Sequence, residues 1–289
     1  MGKKRKNEKK DKEGIRGQGG KNASSGSGSG SSQSGPLLKV SRKKGLQATW
    51  HDAETRRLCC TISGVLSRDE CDLLTAKLQG GWNGAAWDFA TSRGPKHGEA
   101  ERHHKRLRWH DCDVARALWE DSGLEDVCRK ALPRLEIEEQ QPRGPEALGR
   151  SPLCLSPDIR CYTYERGDVF GTHYDDSATV SYERALRSPA KSQSSYKEDN
   201  GRVGARYSTE YTLLLYLNGG GGGGDALVGG ETNFYAEARH GGKLLYSIRP
   251  SAGMVLLHRH GHECLLHESA EVVKGKKVVL RTDVVFTQA

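Results

Sequence analysis

The 289-residue sequence predicts a mainly β fold, a sandwich or jelly roll, with supporting helices on its N-terminal side. Three observations carry that expectation. From Asp158 onward, short runs rich in β-branched and aromatic residues alternate with turn residues, at 159–164, 211–217, 227–235, 243–248, 254–258 and 277–286. Ahead of them, two helix-start signals each precede apolar residues at helical spacing. Finally, residues 1–45 are low complexity and cannot bury enough apolar surface to offset chain entropy, so the fold is expected over 46–289.

Taken in order, the N-terminal segment carries the basic run Lys3-Lys4-Arg5-Lys6 and then Lys9-Lys10, followed by a Ser/Gly stretch from Ser24 to Gly35. It reads as a disordered tail, either a solubilising segment or a contact for polyanions or an import receptor. A loose strand is expected at 58–66. Ser67-Arg68-Asp69-Glu70 then has the form of a capping box, with Cys71, Leu74 and Leu78 on one helical face. Ser122-Gly123-Leu124-Glu125 repeats the device before Leu124, Val127, Cys128, Ala131 and Leu132, and Pro133 closes that helix. Residues 140–157 read as loop. Two insertions interrupt the β region: the polar stretch 181–206, and six consecutive glycines at 219–224 that lack the following helix a phosphate cradle needs.

Charge and cysteine usage narrow the class. The whole chain has 45 Lys+Arg against 37 Asp+Glu, a net charge of +8. Residues 1–45 hold 13 basic and 3 acidic residues, a net +10, while the remainder holds 32 and 34, a net −2. The basic character therefore belongs to the tail, and the fold itself offers no basic stripe that would mark a nucleic-acid binder. The eight cysteines form no C-x-x-C pair, which predicts free thiols and an intracellular setting, nuclear or cytoplasmic. No apolar run reaches the roughly 20 residues of a membrane span, and no apolar segment follows the basic start, so neither membrane insertion nor a secretory signal is expected.

The string Thr172-His173-Tyr174-Asp175 is the first candidate for chemistry. Residues two apart in a strand share a face, so His173 and Asp175 can aim a nitrogen and an oxygen at one point. A further histidine would complete a two-His-one-carboxylate set suited to non-haem Fe(II). Four candidates follow in a strand-rich segment: His258, His260, His262 and His267. Beyond them, Lys277, Val279 and Arg281 share a strand face, so both cations can reach one pocket.

These residues together resemble a known pattern. Tyr164-Glu165-Arg166-Gly167-Asp168-Val169-Phe170-Gly171-Thr172-His173-Tyr174-Asp175 is similar to the Y-x-x-G-x-x-F-x-x-H-x-D signature of the prolyl 4-hydroxylase-type 2-oxoglutarate/Fe(II) dioxygenases. The strand Tyr211 to Asn218, the block Gly229-Gly230-Glu231-Thr232-Asn233-Phe234, and His267 with Gly275 and Lys277 resemble that family's later motifs in the same order. Pro250 and Gly253, ahead of Met254, also fit. The likeness spans about residues 55–286, most strongly 158–286.

The resemblance implies a double-stranded β-helix with iron at one mouth. By position it makes His173, Asp175 and His267 the metal ligands and Lys277 the group that binds the far carboxylate of 2-oxoglutarate. Tyr164 falls where the family often has a tyrosine near the co-substrate. Arg281 lies outside the usual pattern and joins the co-substrate candidates as the second cation on that face. The implied reaction hydroxylates a C–H bond, most plausibly on a prolyl-type protein or peptide substrate, with succinate and carbon dioxide as co-products and L-ascorbate as a reductant. A related oxygenase acting on nucleic acid or a small molecule, and a non-catalytic jelly-roll binding module, are the alternatives.

Overall fold

The computed structural model describes residues 36–52, 57–91, 100–132, 150–181, 206–221, 226–236 and 242–287. The expected tail up to residue 35, nearly all of the 181–206 insertion and part of the glycine run lie outside the described residues. Packed chain begins ahead of Leu46: Leu37 and Leu38 are 3% and 6% exposed and join the main apolar cluster. Two leucines within a Ser/Gly/Lys-rich background give no periodic signal, so composition alone assigned them to the tail.

The N-terminal part supplies a short hairpin-like pair, β1 (Ala48–Trp50) and β2 (Cys59–Ile62), and then α1 (Arg68–Leu78). The capping box at the start of α1 is formed, with Glu70 N donating to Ser67 Oγ and Ser67 N donating to Glu70 Oε2. Cys71, Leu74 and Leu78 are its buried face, as their spacing predicts. Strands β3 (Asp88–Thr91) and β4 (Arg102–His110) follow, then α2 (Cys112–Arg116), a π-helical turn at Ala117–Asp121 and α3 (Leu124–Ala131).

The second capping box does not form. Gly123 caps α3 in the left-handed conformation at φ 88°, and Ser122 instead donates to Leu118 O and accepts from Leu124 N. The preceding π turn brings Ser122 back over its own helix, which local sequence cannot report. Strand β4, Arg-His-His-Lys-Arg-Leu-Arg-Trp-His, escaped the sequence reading because only His104 on one face and Leu107 and Trp109 on the other are buried among charges.

The C-terminal part is almost entirely strand: β5 (Pro152–Leu155), β6 (Asp158–Tyr164), β7 (Val169–His173), β8 (Thr179–Ser181), β9 (Arg206–Tyr216), β10 (Val228–Gly229), β11 (Thr232–Tyr235), β12 (Leu244–Ile248), β13 (Val255–Arg259), β14 (Leu266–Ser269), β15 (Val272–Lys274) and β16 (Lys277–Phe286). Part of the segment read as loop is thus β5, paired with the end of β16. Eight strands pair antiparallel as β13-β9-β16-β6 in one sheet and β7-β14-β11-β12 in the other. Counted along these eight, the orders are 6-3-8-1 and 2-7-4-5, the pairing of a jelly roll, or double-stranded β-helix. Strand β4 pairs with both β6 and β7 and joins the sheets along one edge, while β2 and β1 extend the first sheet at the other.

Alternation along the first sheet divides the core in two. One face, with Leu107, Ile159, Cys161, Leu213, Leu215 and Leu280, packs with the apolar faces of the helices. The opposite face, with Tyr162, Tyr164, Tyr216, Leu256 and Val279, packs with Phe234 and Ile248 from the second sheet. Each fully buried large side chain of this kind contributes roughly 1.5–3 kcal/mol of transfer free energy. All eight cysteines are free thiols. No helix among the described residues is long and apolar enough to cross a membrane.

Candidate metal centre

The jelly roll brings His173 and His267 into direct register. His173 ends β7 and is the cross-strand partner of His267 in β14, and His267 is in turn opposite Phe234 of β11. Asp175 completes the group, and one ligand atom from each of the three lies within 4.8 Å of the others. His173 Nε2 is 3.8 Å from Asp175 Oδ1, and His267 Nε2 is 3.6 Å from Oδ2. The Nδ1 atoms are engaged elsewhere: His173 Nδ1 donates to Gly171 O at 2.8 Å and His267 Nδ1 donates to Leu265 O at 2.9 Å. A carbonyl only accepts, so each Nδ1 carries a hydrogen and each Nε2 faces the carboxylate.

Strand alternation is not what places Asp175. Strand β7 stops at His173, and Asp175 is held by tertiary contacts. Its Oδ2 accepts from Thr212 Oγ1 at 2.9 Å, its Oδ1 from Arg281 Nη2 at 3.0 Å, its N–H donates to Cys264 Sγ, and its carbonyl accepts from Gly261 N. Burial opposes ionisation of Asp175, but Arg281 and the neighbouring histidines more than reverse that and hold its carboxyl well below the usual range. Burial equally opposes a charged His267, yet the Asp175 contact outweighs it and raises the imidazole to about 9. For His173, burial and the neighbouring His267 outweigh the same carboxylate and drive the imidazole down to about 3.

Lys277 lies in the same cavity, with Tyr164 and Ser269 in its lining. Only 2% of the lysine is exposed. Its Nζ donates to Ser269 Oγ at 2.8 Å and sits 5.1 Å from the Tyr164 ring centroid and 5.7 Å from that of Tyr216. It forms no ion pair among the described residues, and burial pushes its pKa down to about 7. An unpaired buried cation is the arrangement that an incoming carboxylate would complete. Tyr164 is 2% exposed, and its hydroxyl bonds Ser269, so it frames the lysine through both ring and hydroxyl.

Arg281 lines the cavity as its shared face with Lys277 predicts, but its guanidinium is committed to Asp175. Its Nε is buried without a partner. Among the other histidines, His262 is exposed, and His260 is buried against Thr212 Oγ1 at 3.1 Å. His258 is 1% exposed and enters the cavity with its Nε2 3.7 Å from Asp175 Oδ2. Thr212, Ser269 and Tyr216 are site residues that the sequence reading did not name. Thr212 and Tyr216 sit within an apolar strand run and Ser269 beside the His267 motif, and only the sheet register shows which neighbours they meet.

The donor set fits a divalent transition metal: two imidazole nitrogens with fixed tautomers, one carboxylate, and a third buried imidazole nitrogen with no hydrogen-bond partner.

No family model matches the sequence, and no curated protein matches it. Among solved structures, it is similar to the viral collagen prolyl hydroxylase of Paramecium bursaria Chlorella virus-1 in complex with 2-oxoglutarate, at 14% identity and TM-score 0.42 over 82% of this chain and 100% of that one. It is similar to a Pseudomonas putida prolyl-4-hydroxylase at 14% identity and TM-score 0.40, covering 80% of this chain and 92% of the other. It is also similar to the non-haem α-ketoglutarate-dependent epimerase SnoN of nogalamycin biosynthesis, at 12% identity and TM-score 0.46 over 81% and 80%. The jelly-roll assignment rests on the strand pairing itself.

Proposed function

We propose that the chain is a 2-oxoglutarate- and Fe(II)-dependent dioxygenase that hydroxylates a C–H bond of a prolyl-type protein or peptide substrate. The observation that carries this reading is the meeting, in one buried cavity, of the His173–Asp175–His267 cluster with the unpaired Lys277. The ordered sequence motifs described above supply the prolyl hydroxylase comparison.

In this reading His173 Nε2, the Asp175 carboxylate and His267 Nε2 hold the iron, and Lys277 receives the distal carboxylate of 2-oxoglutarate with Ser269 and Tyr164 beside it. Bound iron supplies dioxygen activation coupled to oxidative decarboxylation of the co-substrate, which yields succinate and carbon dioxide. The chain's own groups prepare the site. His267 gives up the proton it shares with Asp175 when metal binds. Arg281 and Thr212 hold one oxygen of the carboxylate each. Phe170, stacked on His173 at 3.8 Å, and Phe234, against His267 at 5.6 Å, keep the ligand side chains in an apolar surround.

The test is succinate formation by the iron-loaded chain with 2-oxoglutarate, in the presence of a cell lysate, followed by mass spectrometry for substrates that gain one oxygen. His173→Ala and Asp175→Ala are expected to abolish succinate formation. Full turnover in either variant removes the triad assignment. Oxygen gain on nucleosides or small molecules, rather than peptides, replaces the protein-substrate reading.

A further inference from the structure

Beside the iron ligands proposed above lies a second donor set, His258, Cys264 and His267, with one ligand atom from each within 4.8 Å of the others. His258 comes from β13, Cys264 from the turn ahead of β14, and His267 from β14 itself. They are 1%, 8% and 3% exposed. His258 Nδ1 lies 3.3 Å from Arg259 O, which leaves the lone pair on Nε2, and that atom has no hydrogen-bond partner. An unpartnered polar atom in a core is costly, so its retention calls for a ligand.

The other two donors face each other. Cys264 Sγ is 3.8 Å from His267 Nδ1. Both atoms direct a hydrogen to Leu265 O, which is 3.4 Å from the sulfur and 2.9 Å from the nitrogen. An ion that takes both as ligands displaces these hydrogens. The thiol proton leaves to solvent, and the imidazole hydrogen moves to Nε2, which faces Asp175 Oδ2 at 3.6 Å. Zinc bound to nitrogen at about 2.0 Å and sulfur at about 2.3 Å spaces its tetrahedral donors roughly 3.5 Å apart, so this set needs to close by about an ångström.

We infer that His258, Cys264 and His267 form a site for zinc(II), separate in its donors from the iron centre except for His267. Two imidazoles and a thiolate are the ligands zinc prefers, whereas the His173–Asp175–His267 set offers a carboxylate in place of the sulfur. A neutral imidazole has one free lone pair, so His267 serves one centre at a time. Zinc held here therefore excludes iron and switches the enzyme off. That exclusion rests on the iron centre proposed above, while the zinc site itself rests on the sulfur and on His258.

Zinc(II) at one equivalent and manganese(II), which favours nitrogen and oxygen donors, are the probes, used on the full chain. X-ray absorption at the zinc edge should show one sulfur and two imidazoles. Cys264→Ser should lose the sulfur and His258→Gln one imidazole, each weakening zinc binding by more than about 100-fold. Circular dichroism confirms that the variants are folded, and if one is not, the other decides. Asp175→Asn should lose manganese yet keep zinc with its sulfur, and zinc should displace manganese from the wild type. Zinc bound without sulfur, or a sulfur that persists in Cys264→Ser, overturns the site. Zinc on sulfur alongside retained manganese overturns the sharing of His267. Manganese left unbound by the wild type removes the iron centre, and the sulfur count and His258→Gln still decide the zinc site.

Discussion

Arg281 Nη2 lies 3.0 Å from Asp175 Oδ1, and the two side chains are 13% and 7% exposed. The carboxylate at the centre of three histidines is thus charged before any metal arrives, and the group that keeps it charged is an arginine on the cavity face of the first sheet. Removing one partner of a buried pair leaves the other uncompensated. Arg281→Met is expected to lower the stability of the metal-free protein by about 3 kcal/mol in urea unfolding. The loss should shrink when metal is bound, because the ion supplies the missing positive charge. An unfolding midpoint equal to wild type in the metal-free state would show that the pair does not form.

Lys277 has the opposite character, a buried cation that is unfavourable until an anion arrives. Its pKa falls from an unfolded value near 10.4 to about 7 in the fold. Between these values the unfolded chain holds a proton that the folded chain lacks, so this residue makes stability rise with pH from about 7 to about 10. Lys277→Met should stabilise the metal-free protein by about 1–2 kcal/mol at or below neutral pH and remove that rise. The same variant should lose 2-oxoglutarate binding by calorimetry. A variant that is less stable at pH 6 but still binds 2-oxoglutarate would contradict both parts.

Binding of 2-oxoglutarate to the wild type should also take up protons above pH 7, since a carboxylate restores the charged lysine. Calorimetry of the metal-loaded protein in buffers of different ionisation enthalpy measures the uptake. It should disappear well below pH 7, where Lys277 is already protonated. Uptake that stays constant across this range would assign the proton to another group.

Gly253 fixes the approach of β13 to the helical side of the sheet. Its φ is +78°, its N–H donates to Tyr216 O, and its carbonyl accepts from Val65 N and Leu66 N. A Cβ there would lie 1.9 Å from Leu66 O. Gly253→Ala is expected to cost roughly 2–4 kcal/mol, from left-handed backbone strain and the displaced Leu66 segment. A denaturation midpoint within error of wild type would mean that the close approach relaxes without cost.

Ser67→Ala provides a contrast. It deletes the acceptor for Glu70 N at the start of α1 and should cost about 1 kcal/mol in thermal or chemical unfolding. Metal affinity should be unchanged, because α1 packs on the face of the sheet away from the cavity. A parallel loss of metal binding would show that α1 is coupled to the centre.

Much of this was written locally. Period-2 runs found most of the C-terminal strands, the Ser67–Glu70 box found α1, and His173, Asp175, His267 and Lys277 stood out by type and spacing. The failures share one cause, which is dependence on a distant partner. Strand β4 is a strand because β6 and β7 pair with it, despite its charges. Ser122 lost its capping role to a π turn. Leu37 and Leu38 are buried although their surroundings look like tail.

By itself, then, the sequence pointed to the β-rich fold class and to six of the residues that line the cavity, His173, Asp175, His267, Lys277, Tyr164 and Arg281, because strand periodicity and motif spacing are properties of neighbours along the chain. Only the tertiary structure decided that Arg281 serves Asp175, that Thr212 holds the same carboxylate, and that His258 joins the imidazoles around it. Those contacts span 106, 37 and 83 residues of sequence. They are set by the antiparallel register of β16, β9 and β13 and by the turn after β7, where a shift of one residue would carry each side chain to the other face of the sheet.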